Sequence, residues 1–439
     1  MPMPPRYAQL PSEPLSISNA VTLALDYCNF GRLDFCDHVC ASILKSDPNH
    51  LVTHLVQGLS AHKRRDNLRA VTLLQQVTEA APQFTDGYLH LGVALFHDGR
   101  LDAAAAAFTQ ALTLRPDYPE ALAGLGEILR RRGRAGEAMA VLRQAVALKP
   151  NYSPSYISYS QLCFERSLPP GETLPARRAA TEGRPVLTMA SLGNYGRFAQ
   201  TVNEYVAVRL YADLYGMEFR TPDWVGHSFF ELDDPAMDPA IQSEFEEWLT
   251  VRDVFAEGFD APVETPFRDR DLFLGGSPVS ILRQPFRERV QRWLTPRACW
   301  RGYLEPPLAT LRSRGRTLVA LHIRRTDWFD QAYTPLALYH AWLDQVWHDF
   351  DDPVLFVSTD DPQIVAEFAR YRPATSGDFP VRWEGLDYLQ DFYVLSQADV
   401  VAISTGGFAQ TALALNRNAR QRLRPNKDNT ALEVFDPWV

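Results

Sequence analysis

Compared with itself at an offset of 34 residues, the first third of the chain repeats, and this periodicity limits its fold more than any other feature. Pro48, Pro82, Pro116 and Pro150 each follow the apolar end of a helical stretch, and Gly58, Gly92 and Gly126 keep the same spacing. So do Ala70, Ala104 and Ala138, and Gly99 pairs with Gly133. Segments such as Leu101 to Leu114 carry good helix formers with one apolar stripe. One helix pair of this length cannot bury that stripe, so neighbouring pairs must stack. Residues as small as Gly92 and Ala104 belong on the facing surfaces of a pair, where larger side chains would hold the backbones apart. The pattern predicts about four helix pairs between Ile17 and Pro150. The first is the most degenerate, with Ala24 and Cys36 at the glycine and alanine positions, and a further helix over Ser153 to Glu165 is expected to close the array.

The spacing and its small residues resemble the tetratricopeptide (TPR) repeat. Two roles follow for such an α-solenoid and both stand: its concave face holds a peptide or protein partner, or the array stabilises or dimerises the protein.

With 439 residues, two or three domains are expected. No apolar run is long enough to cross a bilayer, and Met1-Pro2-Met3-Pro4-Pro5 lacks the regions of a secretory signal, so a cytoplasmic protein without a transmembrane segment is expected. A formal net charge of −9 opposes a nucleic-acid partner, which needs a basic surface. The five cysteines show no Cys-x-x-Cys pair, and Cys36 and Cys40 are read as small buried hydrophobes.

Pro169-Pro170-Gly171 marks a linker over 167–184. Beyond it, Pro185 to Ser191 is expected as a buried strand, running through Gly193–Arg197 into a helix from Phe198 to Leu214. Gln242–Phe255 and Arg287–Leu294 are expected to be helical. From Thr317 a regular alternation follows: strands at Leu318–Ile323, Val354–Ser358, Val381–Trp383 and Val400–Ser404, and helices at Leu336–Trp347, Pro362–Ala369, Tyr388–Ala398 and Phe408–Leu415. Such alternation implies a parallel sheet covered on both faces.

Ligands of open parallel sheets gather beyond the carboxyl ends of the strands. Three exits carry chemistry. His322-Ile323-Arg324-Arg325-Thr326-Asp327 puts two arginines and an aspartate into one loop. Planar guanidinium forks there suit a diphosphate, with Asp327 positioning one of them; a surface Arg–Asp ion pair is the plainer alternative. Ser358-Thr359-Asp360-Asp361-Pro362 also fits a helix cap, and its adjacent acids are a weak metal signal. The third exit joins Asp391 to Ser404-Thr405-Gly406-Gly407-Phe408, whose glycines let backbone amides approach an anion.

In order and strand context, His-x-Arg-Arg-x-Asp, Thr-Asp-Asp, and Asp-x-x-x-Leu-Ser-Gln-Ala-Asp with its turn resemble the three motifs of the α1,2-, α1,6- and protein O-fucosyltransferases. Asn194, Tyr195, Gly196, Arg197 and Phe198, with Trp224-Val225-Gly226, resemble the opening of bacterial α1,2-fucosyltransferase-like proteins. The resemblance runs from Pro185 to the C-terminus. It implies a GT-B-like, two-lobed glycosyltransferase with an acceptor-side lobe over 185–316 and a Rossmann-like, nucleotide-sugar-binding lobe over 317–439, behind a TPR array over 17–166. It also implies GDP-fucose or a related nucleotide sugar as donor, inversion at the sugar carbon and no metal or other cofactor. Arg324 and Arg325, with Asp327, would be catalytic, neutralising the diphosphate. His322 and Asp391 would contact guanine, Asp360 and Asp361 would border the donor, and Ser404, Gly406, Gly407 and Phe408 would complete the nucleotide-sugar site. Asn194, Tyr195, Gly196, Arg197 and Gln200 would form the acceptor-side loop, facing a glycan or protein hydroxyl.

Two stretches depart from the family pattern. Ala199-Gln200-Thr201 with Asn203 and Glu204 replaces Asn-Gln and its following aromatic and glutamine, and Ser404-Thr405-Gly406-Gly407-Phe408-Ala409 replaces a serine-rich run. The alternatives are therefore a TPR peptide-binding scaffold with a catalytically degenerate transferase domain, or a transferase using another nucleotide sugar on a protein such as flagellin.

Overall fold

The computed structural model of the chain describes residues 16–29, 31–149, 153–168, 176–189, 192, 198–237, 249–250, 270–271, 274–275, 284–325, 333–380 and 385–438. They fall into two compact units, the first ending at Leu162 and the second beginning at Cys163.

The first unit is a stack of helix pairs: α1 (Ile17–Asn29) and α2 (Leu33–Ser46), α3 (Leu51–Lys63) and α4 (Asn67–Ala80), α5 (Thr85–His97) and α6 (Leu101–Leu114), α7 (Pro119–Arg131) and α8 (Ala135–Leu148). A ninth helix, α9, starts at Ser153 as the sequence predicts. The small residues do what the repeat requires. A β-carbon at Gly58 would come within 2.7 Å of Leu74, one at Gly92 within 2.7 Å of Phe108, and one at Gly126 within 2.5 Å of Leu142. Ala70, Ala104 and Ala138 are fully buried. Phe108 is held on two sides, because a β-carbon at Gly124 in α7 would lie 2.4 Å from its ring. The turn inside each pair needs a left-handed residue: Gly31, Gly99 and Gly133 supply it with φ of 73°, 78° and 71°. In the second pair Arg65 takes that position at φ 60°, a strained conformation for a side chain with a β-carbon. Cys28, Cys36 and Cys40 are free and buried in the core of the first pair.

The second unit contains a five-stranded sheet of β6 (Thr317–Ile323), β7 (Pro353–Thr359), β8 (Val400–Ile403), β9 (Gln421–Pro425) and β10 (Leu432–Val434), in the order β10-β9-β8-β6-β7. The pairs β6–β7, β6–β8 and β8–β9 are parallel and β10 is an antiparallel edge; the sequence reading included neither β9 nor β10. All seven residues of β6 are buried, as expected for a continuous apolar run covered on both faces. Asp399 sets the start of the sheet: it accepts from Leu318 N at 2.8 Å and from both terminal nitrogens of Arg312 at 2.9 and 3.1 Å. A smaller parallel sheet takes the order β2 (Glu218–Arg220), β1 (Val186–Thr188), β4 (Arg270–Asp271). Beside it α10 (Phe198–Leu214) has the predicted bounds and is buried along most of its length.

Two expectations are corrected and one helix is added. Leu249–Thr250, inside the stretch read as the helix Gln242–Phe255, form a short strand, β3, paired with β5 (Leu274–Gly275); the rest of that stretch lies outside the described residues. Pro362–Tyr371 winds as a 3₁₀ helix and ends at Arg372 in the left-handed region, φ 49°. Arg301–Arg312 is a helix despite Pro306 and Pro307 in its interior. The strand read at Val381–Trp383 lies outside the described residues.

Candidate functional site

β6 lies between β7 and β8, so the chain leaves β6 for one neighbour and returns on the other side. Crevices at such reversals are where doubly wound sheets bind ligands. Register brings the exits level: His322 is opposite Ser358 and Ile403, and Ile323 is opposite Thr359.

Between β6 and β8, Ser404 N donates to His322 O at 2.8 Å. The Ser404 hydroxyl lies 3.2 Å from His322 Nδ1 and accepts from Arg324 N at 3.3 Å. His322 is buried, and its ring centroid is 5.5 Å from that of Phe408, which in turn is 5.5 Å from Phe392. Gly406 precedes the helix Gly407–Leu415 at φ 154°, with no side chain capping its first amides. A β-carbon at Gly406 would lie 3.4 Å from Arg324 Nη1, so the guanidinium rests against the glycine at this helix start.

Between β6 and β7 the acids are already engaged. Asp360 accepts from Arg325 N at 2.6 Å, tying the two exits together. Asp361 caps the 3₁₀ helix by accepting from Gln363 N at 3.1 Å, the capping role the sequence allowed for one of the two carboxylates. Arg325 itself lies over the Tyr333 ring, 5.6 Å from the centroid.

Asp391, on the helix Asp387–Gln397, accepts from Ser358 Oγ at 2.8 Å, while its Oδ1 is buried without a hydrogen-bond partner. Part of the residue remains accessible. Burial pushes this acid up to about 7, with the Asp387 charge adding to the rise and hydroxyls of Ser358 and Ser376 opposing it.

Asp327, Asn194, Tyr195, Gly196 and Arg197 lie outside the described residues. Gln200, read as part of an acceptor-side loop, sits in the first turn of α10, where its amide donates to Glu204 Oε1 at 3.0 Å. The altered stretch of α10 reaches the third exit by packing: Asn203 accepts from Thr411 Oγ1 of the helix Gly407–Leu415 at 3.0 Å, and its Nδ2 is buried with no acceptor. Glu204 is 2% exposed, and burial raises it to about 8 against the opposing Gln200 hydrogen bond. Sequence reasoning saw this pair only as a departure from a pattern; the available signal was two adjacent polar residues between Val202 and the apolar run Tyr205–Val208.

A second buried polar group closes on itself. Tyr205 donates to Asp234 at 2.5 Å, Arg209 also pairs with Asp234, and His227 Nε2 lies 3.6 Å from the same carboxylate. Arg177 donates to Thr221 Oγ1 at 2.6 Å and to the carbonyls of Asp234 and Pro235 at 3.0 and 2.8 Å. Burial lowers His227, with its bond to Asp234 opposing. The network braces the chain around β2.

Comparison with known proteins bears on the first unit. Two models described as tetratricopeptide repeat match residues 55–119 and 95–158. Among solved structures, a thermophilic TPR protein of Thermus thermophilus is 20% identical, with 34% of this chain covering 83% of that chain at a TM-score of 0.32. A MamA structure from AMB-1 is 29% identical over 31% of this chain and 79% of that one, TM-score 0.27. MamA from Desulfovibrio magneticus RS-1 is 23% identical over 31% and 76%, TM-score 0.28. No curated protein matches. The chain is thus an α-solenoid followed by a region built on sheets, and the solenoid consists of tetratricopeptide repeats, which fit a protein-interaction scaffold. Among the described residues no helix is long and apolar enough to cross a membrane.

Proposed function

We propose that the chain is a nucleotide-sugar-dependent glycosyltransferase, with GDP-fucose as the first donor to test, whose repeats bring it a protein acceptor or partner. The observation that carries this reading is the Arg324 guanidinium against Gly406, at the uncapped start of the helix Gly407–Leu415 and at the strand reversal. Sugar transfer leaves a diphosphate whose charge grows as the glycosidic bond breaks. A guanidinium beside the amides of a helix start stabilises that charge without a metal. The unpaired Asp391 Oδ1 supports the same reading, because a buried acceptor without a partner suits the N–H donors of a base.

The test is calorimetry and thermal shift of the whole protein against GDP, GDP-fucose, GDP-mannose, and UDP- and CMP-sugars without added metal. Selective stabilisation by one sugar nucleotide, lost in Arg324→Ala, is expected; a protein that binds none of them is no transferase of this kind. A second reading, a TPR scaffold with a degenerate transferase domain, is favoured by Gly406 and Gly407 standing where hydroxyl side chains are expected and by the repeats themselves. In that case Arg324→Ala leaves partner binding and cellular role intact.

A further inference from the structure

Away from the strand exits, a hollow of about 870 Å³ opens between the helix Arg287–Trp293 and the turn after the helix Gly407–Leu415. Its lining includes Arg287, Arg292 and Arg417 together with Glu288, Gln291 and Thr295. The chain has 53 acids against 44 lysines and arginines, so a carboxylate is within reach of most cations. Elsewhere in this unit arginines use them: Arg177 meets Asp223, Arg209 meets Asp234, Arg312 meets Asp399 and Arg424 meets Glu433. Even Arg289, on the same helix as the hollow, reaches Asp213 at 3.7 Å.

The three arginines of the hollow differ: among the described residues none of their side chains makes a hydrogen bond or an ion pair. A fourth, Arg422, lies near enough to Arg287 to feel its charge. Arg422 donates to Asn416 O at 2.9 Å, but its Nε is buried without an acceptor. Burial and then the charge of Arg287 lower its guanidinium, with Asp436 opposing. The hollow therefore carries an excess of positive charge that its one acid, Glu288, does not balance. Its wall is fixed, since Gln291 donates to Ala414 O at 2.8 Å and Thr295 Oγ1 to Gln291 O at 3.2 Å.

Unpaired cations around a concavity focus the field within it, and guanidinium forks match the oxygens of phosphate groups. A hollow of this size accommodates a small molecule. We propose that this hollow binds a small organic polyphosphate, held by Arg287, Arg292 and Arg417. The site is separate from the strand exits and does not depend on the transferase reading.

The experiment is isothermal titration of the full chain carrying Arg324→Ala, so that the strand edge does not contribute, with inorganic tripolyphosphate as the probe and citrate as a carboxylate control. Binding that weakens about tenfold or more when Arg292 and Arg417 also become alanine, and tightens in Glu288→Gln, supports the site. No binding in the Arg324→Ala background, equal affinity with and without Arg292 and Arg417, or citrate binding as tightly as tripolyphosphate overturns it.

Discussion

In the repeats a buried side chain finds its partners close by in sequence: Phe108 rests on Gly92 and Gly124, sixteen residues before and after it. In the sheet region the decisive contacts span far more chain. Ser404 meets His322 across 82 residues, Gln291 meets Ala414 across 123, and Thr411 meets Asn203 across 208. The first arrangement makes stability a near-sum over neighbouring helix pairs, and the second makes it a property of the whole unit. A change in one repeat should stay local, whereas a change at a sheet contact should alter the entire transition.

Phe108→Ala gives the largest effect expected. It leaves two glycine-lined seats empty and should cost about 3–5 kcal/mol in the array. Urea unfolding followed by hydrogen exchange should show the loss confined to α5, α6 and α7. Protection lost equally in β6 and β8 would end the contrast.

Glu204 and Asp391 test the cooperative side. Both acids have folded-state values above those of the unfolded chain, so the folded protein holds more protons and stability falls as pH rises. The fall begins in the ordinary carboxylate range; it ends near pH 7 for Asp391 and near pH 8 for Glu204. For Glu204 the whole loss is on the order of 5 kcal/mol, from burial of its charge. Glu204→Gln should abolish the part of the slope that continues between about pH 7 and 8. Denaturant titrations of both proteins across pH would read this directly, and identical slopes would remove Glu204 from the account.

The smallest effect returns to the repeats. Gly99→Ala puts a β-carbon at φ 78° and should cost about 1 kcal/mol, while Arg65→Gly relieves the same conformation and should gain roughly 0.5 kcal/mol. Melting temperatures that move the other way would show that the tertiary contacts of Arg65 outweigh its backbone.

The same contrast explains what the sequence disclosed. Helix pairs with prolines and glycines at a fixed spacing are local features, so α1 to α8 could be placed from residue order. Strands β6, β7 and β8 were legible because each is a short apolar run bounded by turn residues. β9 and β10 were not, since Gln421–Pro425 carries two arginines around one buried leucine and Leu432–Val434 is a half-exposed edge whose pairing with β9 depends on the Asn426–Asn429 turn. At the site, the sequence placed His322, Arg324, Asp360 and Ser404 at strand exits. It could not say that Asp360 holds Arg325 N, or that Asn203 meets Thr411, because those bonds exist only once the sheet and α10 are packed.

The double seat of Phe108 has a mechanical consequence. Leu74 and Leu142 each fill the space beside a glycine of their own helix pair, but Phe108 also occupies the space beside a glycine of the next. Pulled along its axis, such an array should resist most where side chains of one pair fill the space beside a glycine of the next, at the α6–α7 joint through Phe108 and at the α4–α5 joint, where Gly87 faces Val77 and Thr78. The solenoid is then a spring stiffened at its middle joints, and an extension record should show the outer pairs peeling first.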